Sequence, residues 1–311
     1  LKTKNITEGA VLLGVFILLL LVTLFIPFVG LVTLCGLIIP FVIYTIRNGW
    51  KSGLWFIVIA NLLSMLFFTP VILLLCIPVS TAGVVMGYFF SKNSNRYAVL
   101  GAGTGVYLLN LLLGYIVTIV IFNIDIMEMV KESAEQSVIS AELLASTLGK
   151  QNAEEAMEQV QQTMDGFIYL MPSFLVTIAF VFAFISQWVS VIVLKRLKIE
   201  VNAFPPFREL VLPKSLLWYY LIVLLLSLSL PEEGTTLYLA IVNLSFILML
   251  LMTIQGLSFL FFICYEKKIP KAIPIMVLIF SFLLSPLLYI IRMIGIIDIG
   301  FNLRKRINSK K

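Results

Sequence analysis

Apolar runs of about 17 to 29 residues recur along this chain, each long enough to cross a hydrocarbon core of about 30 Å at about 1.5 Å per helical residue. Helices are the expected form of these runs, because a helix satisfies every backbone group internally where water is absent. Apart from Lys131 and Lys150, which sit in a long acidic insert, basic residues fall in alternate gaps between them. Arg47 and Lys51 follow the second run, and Lys92 and Arg96 the fourth. Lys195, Arg196, Lys198, Arg208 and Lys214 follow the sixth, and Lys267, Lys268 and Lys271 the eighth. Basic residues stay on the cytoplasmic face of a membrane, so the chain reads as a multi-pass cell-membrane protein with its N-terminus in the cytoplasm.

Composition narrows the function classes. The chain is 61% apolar and 12% charged and has no histidine; soluble domains are nearer about half apolar and about a quarter charged. Its formal charge of +6 follows from the sorting of basic residues, and no basic patch with interleaved aromatics points to nucleic acid. Cys35, Cys76 and Cys264 lie inside apolar runs, away from any metal-ligand spacing, and read as small packing residues. Neither a phosphate-cradling glycine loop nor an embedded carboxylate pair is present, so no enzyme, cofactor or metal is expected.

The expected architecture is all-α: a polytopic transmembrane helix bundle of eight spans. These lie near 8–27, 30–46, 53–69, 71–90, 98–122, 167–194, 215–230 and 237–265. Pro27-Phe28-Val29-Gly30 is the expected turn between the first two, and Thr7 the expected cap of the first helix. The apolar run is long for a signal segment and lacks a small-residue cleavage site, so it is expected to remain as a span. After Lys271 a broken hydrophobic hairpin is expected, bent near Pro286; it returns Arg304, Lys305, Arg306, Lys310 and Lys311 to the cytoplasm, where a single ninth span would strand them outside.

Three regions follow. Residues 1–194 form a six-span bundle, 195–214 a basic, proline-containing cytoplasmic loop with Phe204 and Phe207, and 215–311 additional helices and a basic tail. Within the first region, 123–165 is an acidic insert of net charge −7. Its apolar residues recur at three- and four-residue steps from Met127 to Leu148 and again from Ala153 to Met164, which predicts an extracytoplasmic helical hairpin.

Candidate functional residues are the polar groups buried in apolar runs. Asn61, Asn110 and Gln187 are expected to line a pocket for a small uncharged or zwitterionic solute, because an unpaired amide in hydrocarbon is costly; the alternative is interhelical hydrogen bonding. Ala10 and Gly14, four apart on the first span, form a face where another helix can dock closely; Gly83 and Gly87, and Gly101 and Gly105, repeat the spacing. Arg292 and Asp298 are embedded charges that pair across a bend, or else Arg292 snorkels to an interface.

Thr7-Glu8-Gly9-Ala10-Val11-Leu12, Phe207-Arg208-Glu209 with Leu212-Pro213, and Gly295-Ile296-Ile297-Asp298 with Phe301, Arg304 and Lys305 resemble the YybS-type membrane proteins of Firmicutes over essentially the whole chain. That resemblance implies class and location. The first six spans also resemble the substrate-capture (S) components of energy-coupling-factor transporters, although the acidic insert, the later spans and the missing vitamin-specific motifs depart from them. The likeness implies a solute-capture subunit that docks through Ala10 and Gly14 on a coupling protein carrying two ATPases. The rival expectation is a non-transporting scaffold or regulator that recruits envelope or division proteins. In both readings the lipid bilayer is a partner.

Overall fold

The computed structural model describes residues 2–125, 166–229 and 232–308, with 128–130, 132, 133, 136, 139 and 140 of the acidic insert. Among these residues every regular element is helical. The elements are α1 (Lys2–Phe25), α2 (Pro27–Gly36), α3 (Ile39–Asn48), α4 (Trp50–Phe67), α5 (Leu73–Ser91), α6 (Arg96–Val120), α7 (Met171–Arg196), α8 (Ser215–Ser227), α9 (Thr236–Glu266), α10 (Ala272–Leu283), α11 (Ser285–Phe301) and α12 (Leu303–Asn308). The described insert residues from 128 to 140 are helical; the second insert helix expected from Ala153 to Met164 lies outside the described residues.

Among the described residues, seven helical stretches are long and apolar enough to cross a membrane, and α10 with α11 makes an eighth if that bent pair is one span. Their outer faces carry large apolar side chains, with Phe28 88% and Leu66 77% exposed. Such a surface is stable in lipid and not in water. The span expected near 215–230 is shorter than anticipated: α8 ends at Ser227 after 13 residues. At about 1.5 Å per residue that is about 20 Å, less than the hydrocarbon core.

Two other boundaries move for local reasons. Pro27 does not turn the chain but begins α2, its ring already holding the helical φ that the first turn needs; the reversal occurs at Ile26, in extended conformation. The second span is broken between α2 and α3, because Pro40 has no N–H to give the Gly36 carbonyl. Thr7 lies inside α1, which already starts at Lys2, rather than at its cap, and Glu8 pairs with Arg47 of α3 at 2.6 Å.

The chain forms two compact units. The first comprises residues 1–160 and 175–203. Its core is an aromatic ladder through α1, α3 and α4: Phe16 meets Phe41 edge-on at 4.9 Å and Phe41 meets Phe56 at 5.2 Å. Gly83 and Gly87 let α5 lie against α3, where a Cβ would come within 2.6 Å of Phe41 Cβ and 2.8 Å of Thr45 Cβ. That pair is used for packing within the chain.

The second unit comprises residues 161–174 and 204–311. Here α9 and α11 cross backbone to backbone. A Cβ on Gly256 would strike the Ile291 carbonyl, and one on Gly295 would strike the Met252 carbonyl. The expected bend near Pro286 is present: the chain is extended at Leu284, Pro286 occupies the first turn of α11, and the two halves turn through 118°.

Candidate functional site

In the first unit, α5 stands between α4 and α6 and presents Ser80 and Thr81 side by side. Asn61 of α4 donates to Ser80 Oγ at 3.0 Å and to its own Ile57 carbonyl at 2.9 Å. Asn110 of α6 donates to Thr81 Oγ1 at 3.1 Å and to the Val106 carbonyl at 2.8 Å. Each asparagine lies well inside its apolar helix, Asn110 about 21 Å from the Arg96 end at 1.5 Å per residue. Three helices therefore carry a continuous polar ribbon across an otherwise apolar layer. One valence is left over: Asn61 Oδ1 is buried and has no hydrogen-bond partner among the described residues. Asn61, Thr81 and Asn110 are only partly buried, so the ribbon is open along one edge.

Gln187 of α7 stands elsewhere. It is 0% exposed and donates to the carbonyl of Arg96, at the opposite end of α6 from the ribbon's depth. The structure thus joins Asn61 and Asn110 through adjacent residues of α5 and holds Gln187 apart. Sequence spacing did not single out Ser80 and Thr81 because α5 is crowded with small residues, and nothing along one helix names the residue facing it.

Ala10 and Gly14 face outward from α1, and a Cβ on Gly14 meets nothing within 4 Å. Gly101 and Gly105 on α6 are likewise open. These two small-residue faces are exposed, with room for a Cβ at each glycine, in contrast to Gly83 and Gly87.

The second unit holds a denser polar network. Arg304 Nε donates to Asp298 Oδ2 at 2.9 Å, and Gln255 Nε2 donates to the same oxygen at 2.6 Å. Gln255 Oε1 accepts from the Leu212 N–H at 2.9 Å. Arg304 also donates to the Arg208 carbonyl at 2.6 Å and to Ser258 Oγ at 3.0 Å, while Ser258 reaches the Phe207 and Leu210 carbonyls. Asp298 pairs with Arg304 rather than with Arg292. A straight helix puts positions six apart on different sides, whereas the left-handed conformation of Asn302 turns the tail back. Arg292 instead lies 5.2 Å from the Tyr289 ring centroid. The segments Phe207–Leu212 and Asp298–Arg304, on which the family resemblance rests, meet here around α9.

Among the described residues no group of histidine, cysteine, aspartate and glutamate side chains is placed to hold a metal ion. The ribbon can offer amide and hydroxyl groups to a ligand, and the network can hold a backbone segment. Neither presents an activated nucleophile.

A family model described as "Predicted membrane protein (DUF2232)" matches residues 14–299. The uncharacterised protein YybS of Bacillus subtilis (strain 168) is 31% identical over 309 residues, which cover 98% of this chain and 99% of that protein. No solved structure matches.

Proposed function

The chain belongs to the DUF2232 family of predicted membrane proteins, and from that premise we propose that it is a small-molecule transport subunit, capturing solute and working with partner proteins. The observation that carries this reading is the polar ribbon of Asn61, Ser80, Thr81 and Asn110 within the apolar layer, with Asn61 Oδ1 left unpartnered. A buried acceptor without a donor costs about 1–3 kcal/mol, which a bound solute with an N–H or O–H would recover. The groups present suit an uncharged or zwitterionic solute, since no charge lies in the ribbon. Gln187 would act from the end of α6 rather than in the pocket.

The outward face of Ala10 and Gly14 supplies the partner surface in this reading, in the manner of energy-coupling-factor S components. No ATP-binding motif occurs in the chain, so the energy would come from a coupling protein and its ATPases. The N-terminus and C-terminus are both proposed to be cytoplasmic, with the acidic insert outside. In support, Arg304 and the Phe207–Leu210 segment share one end of α9.

One observation favours a second reading, a scaffold that recruits envelope or division proteins. Gln255, Ser258 and Arg304 hold the Phe207–Leu212 segment in one conformation, which would present a fixed surface to a partner. A mild-detergent pull-down of the tagged protein from its native membranes separates the two. Recovery of a coupling protein with paired ATPases, lost in Gly14→Leu, supports the transport subunit. Recovery of envelope or division proteins without an ATPase overturns it.

A further inference from the structure

At the Arg96 end of α6 a cleft of about 340 Å³ is lined by Asn93, Asn95, Arg96 and Asn202. All four lie in the first unit. The lining is polar and holds no acid. Its hydrogen bonds leave donors over. Asn95 Oδ1 accepts from the Tyr97 N–H at 3.1 Å, and Asn93 Oδ1 accepts from Asn202 Nδ2 at 3.1 Å. Both carboxamide oxygens are thereby used, and the NH₂ groups of Asn93 and Asn95 remain.

Arg96 adds a charge that the protein does not neutralise. It has no acidic partner among the described residues; its Nη1 donates to the Ala203 carbonyl at 3.1 Å, and its buried Nε donates to nothing. It also stands at the first position of α6, where the helix dipole disfavours a cation and favours an anion. The buried Gln187 amide, on the Arg96 carbonyl at 3.0 Å, fixes the backbone that carries this guanidinium. Buried polar groups are satisfied almost everywhere in folded proteins, so the unsatisfied Nε of Arg96, a residue that lines the cleft, marks a place completed from outside the chain.

We propose that the cleft formed by Asn93, Asn95, Arg96 and Asn202 is a binding site for a phosphate group. A guanidinium with flanking amide donors matches tetrahedral phosphate oxygens. The group arrives either on an anionic phospholipid headgroup or as free phosphate. Tyr97, 49% exposed with the guanidinium 5.2 Å from its ring centroid, puts the cleft at a level where lipid headgroups lie. The site is independent of the solute ribbon, which lies about 21 Å further along α6.

The test uses the purified full-length protein in detergent. Its melting temperature is followed with inorganic phosphate, with phosphatidylglycerol in mixed micelles, and with an uncharged glycolipid of the same acyl chains. A saturable rise with phosphatidylglycerol alone assigns the site to a lipid headgroup; a rise with inorganic phosphate as well assigns it to free phosphate. In either case Arg96→Gln weakens the apparent affinity about tenfold or more, as loss of a charge-assisted bond requires. Asn202→Asp is the second variant. It changes an exposed side chain, leaves Arg96 in place and sets a carboxylate against the anion, so it weakens binding similarly even if Arg96→Gln fails to fold. An equal rise with the glycolipid, or responses unchanged in Asn202→Asp, overturns the site.

Discussion

Asp298 and Arg304 form a buried ion pair at 2.9 Å across the left-handed turn at Asn302, with side chains 2% and 11% exposed. Both charges are further held by Gln255, Ser258 and the Arg208 carbonyl. Removing one member leaves the other uncompensated. Asp298→Ala or Arg304→Ala is therefore expected to destabilise the second unit by about 3–5 kcal/mol. Thermal melts in detergent check this. The double variant is expected to lose less than the sum of the two, and strict additivity would show that the pair is not coupled.

The crossing of α9 and α11 gives a prediction of opposite sign at different glycines. A Cβ at Gly256 meets the Ile291 backbone, and at Gly295 it comes within 2.7 Å of the Gly256 nitrogen. Backbone cannot step aside, so Gly256→Ala and Gly295→Ala should push the helices apart and lower the melting temperature markedly. Gly101→Ala meets open space and gains helix propensity of up to about 1 kcal/mol, so it should be neutral or stabilising. Equal losses at all three positions would contradict the close crossing.

How much of this was legible beforehand depended on the range of the interaction. The apolar runs and the bend at Pro286 are local properties, and both were readable from residue order. The break before Pro40 is equally local, yet it fell inside an apolar run whose composition hides it. Partners across helices were not readable. The spacing of Asn61 and Asn110 says which side of a helix each occupies, but not that α5 stands between them with Ser80 and Thr81. The partner of Asp298 is not readable from residue order for a related reason. Arg292 and Arg304 are both six residues away, and only the positive φ of Asn302, unusual for a residue with a Cβ, decides between them.

The ribbon separates structural from functional roles by magnitude. Interhelical hydrogen bonds in membrane proteins average about 0.6 kcal/mol, so Asn110→Leu should shift stability by no more than about 1–2 kcal/mol. If the ribbon captures solute, the same substitution abolishes the cellular phenotype of the protein at unchanged abundance. A phenotype that survives Asn110→Leu and Asn61→Leu counts against capture there.

The last prediction concerns the side on which the tail emerges. Arg304 donates to the Arg208 carbonyl and to Ser258 Oγ, and Ser258 donates to the Phe207 carbonyl, so the tail and the proline-containing segment lie at one end of α9. A hairpin bent through 118° at Leu284 produces this, whereas a straight ninth span would carry the tail to the far side. Glu209 and Lys305 are the positions to probe, since their side chains are not in the network around Asp298. With Cys35, Cys76 and Cys264 replaced by alanine, single cysteines at Glu209 and Lys305 should react with a membrane-impermeant maleimide from the same side of oriented vesicles. The positive-inside rule makes that side the cytoplasm. Labelling of the two positions from opposite sides would rule out the bent hairpin.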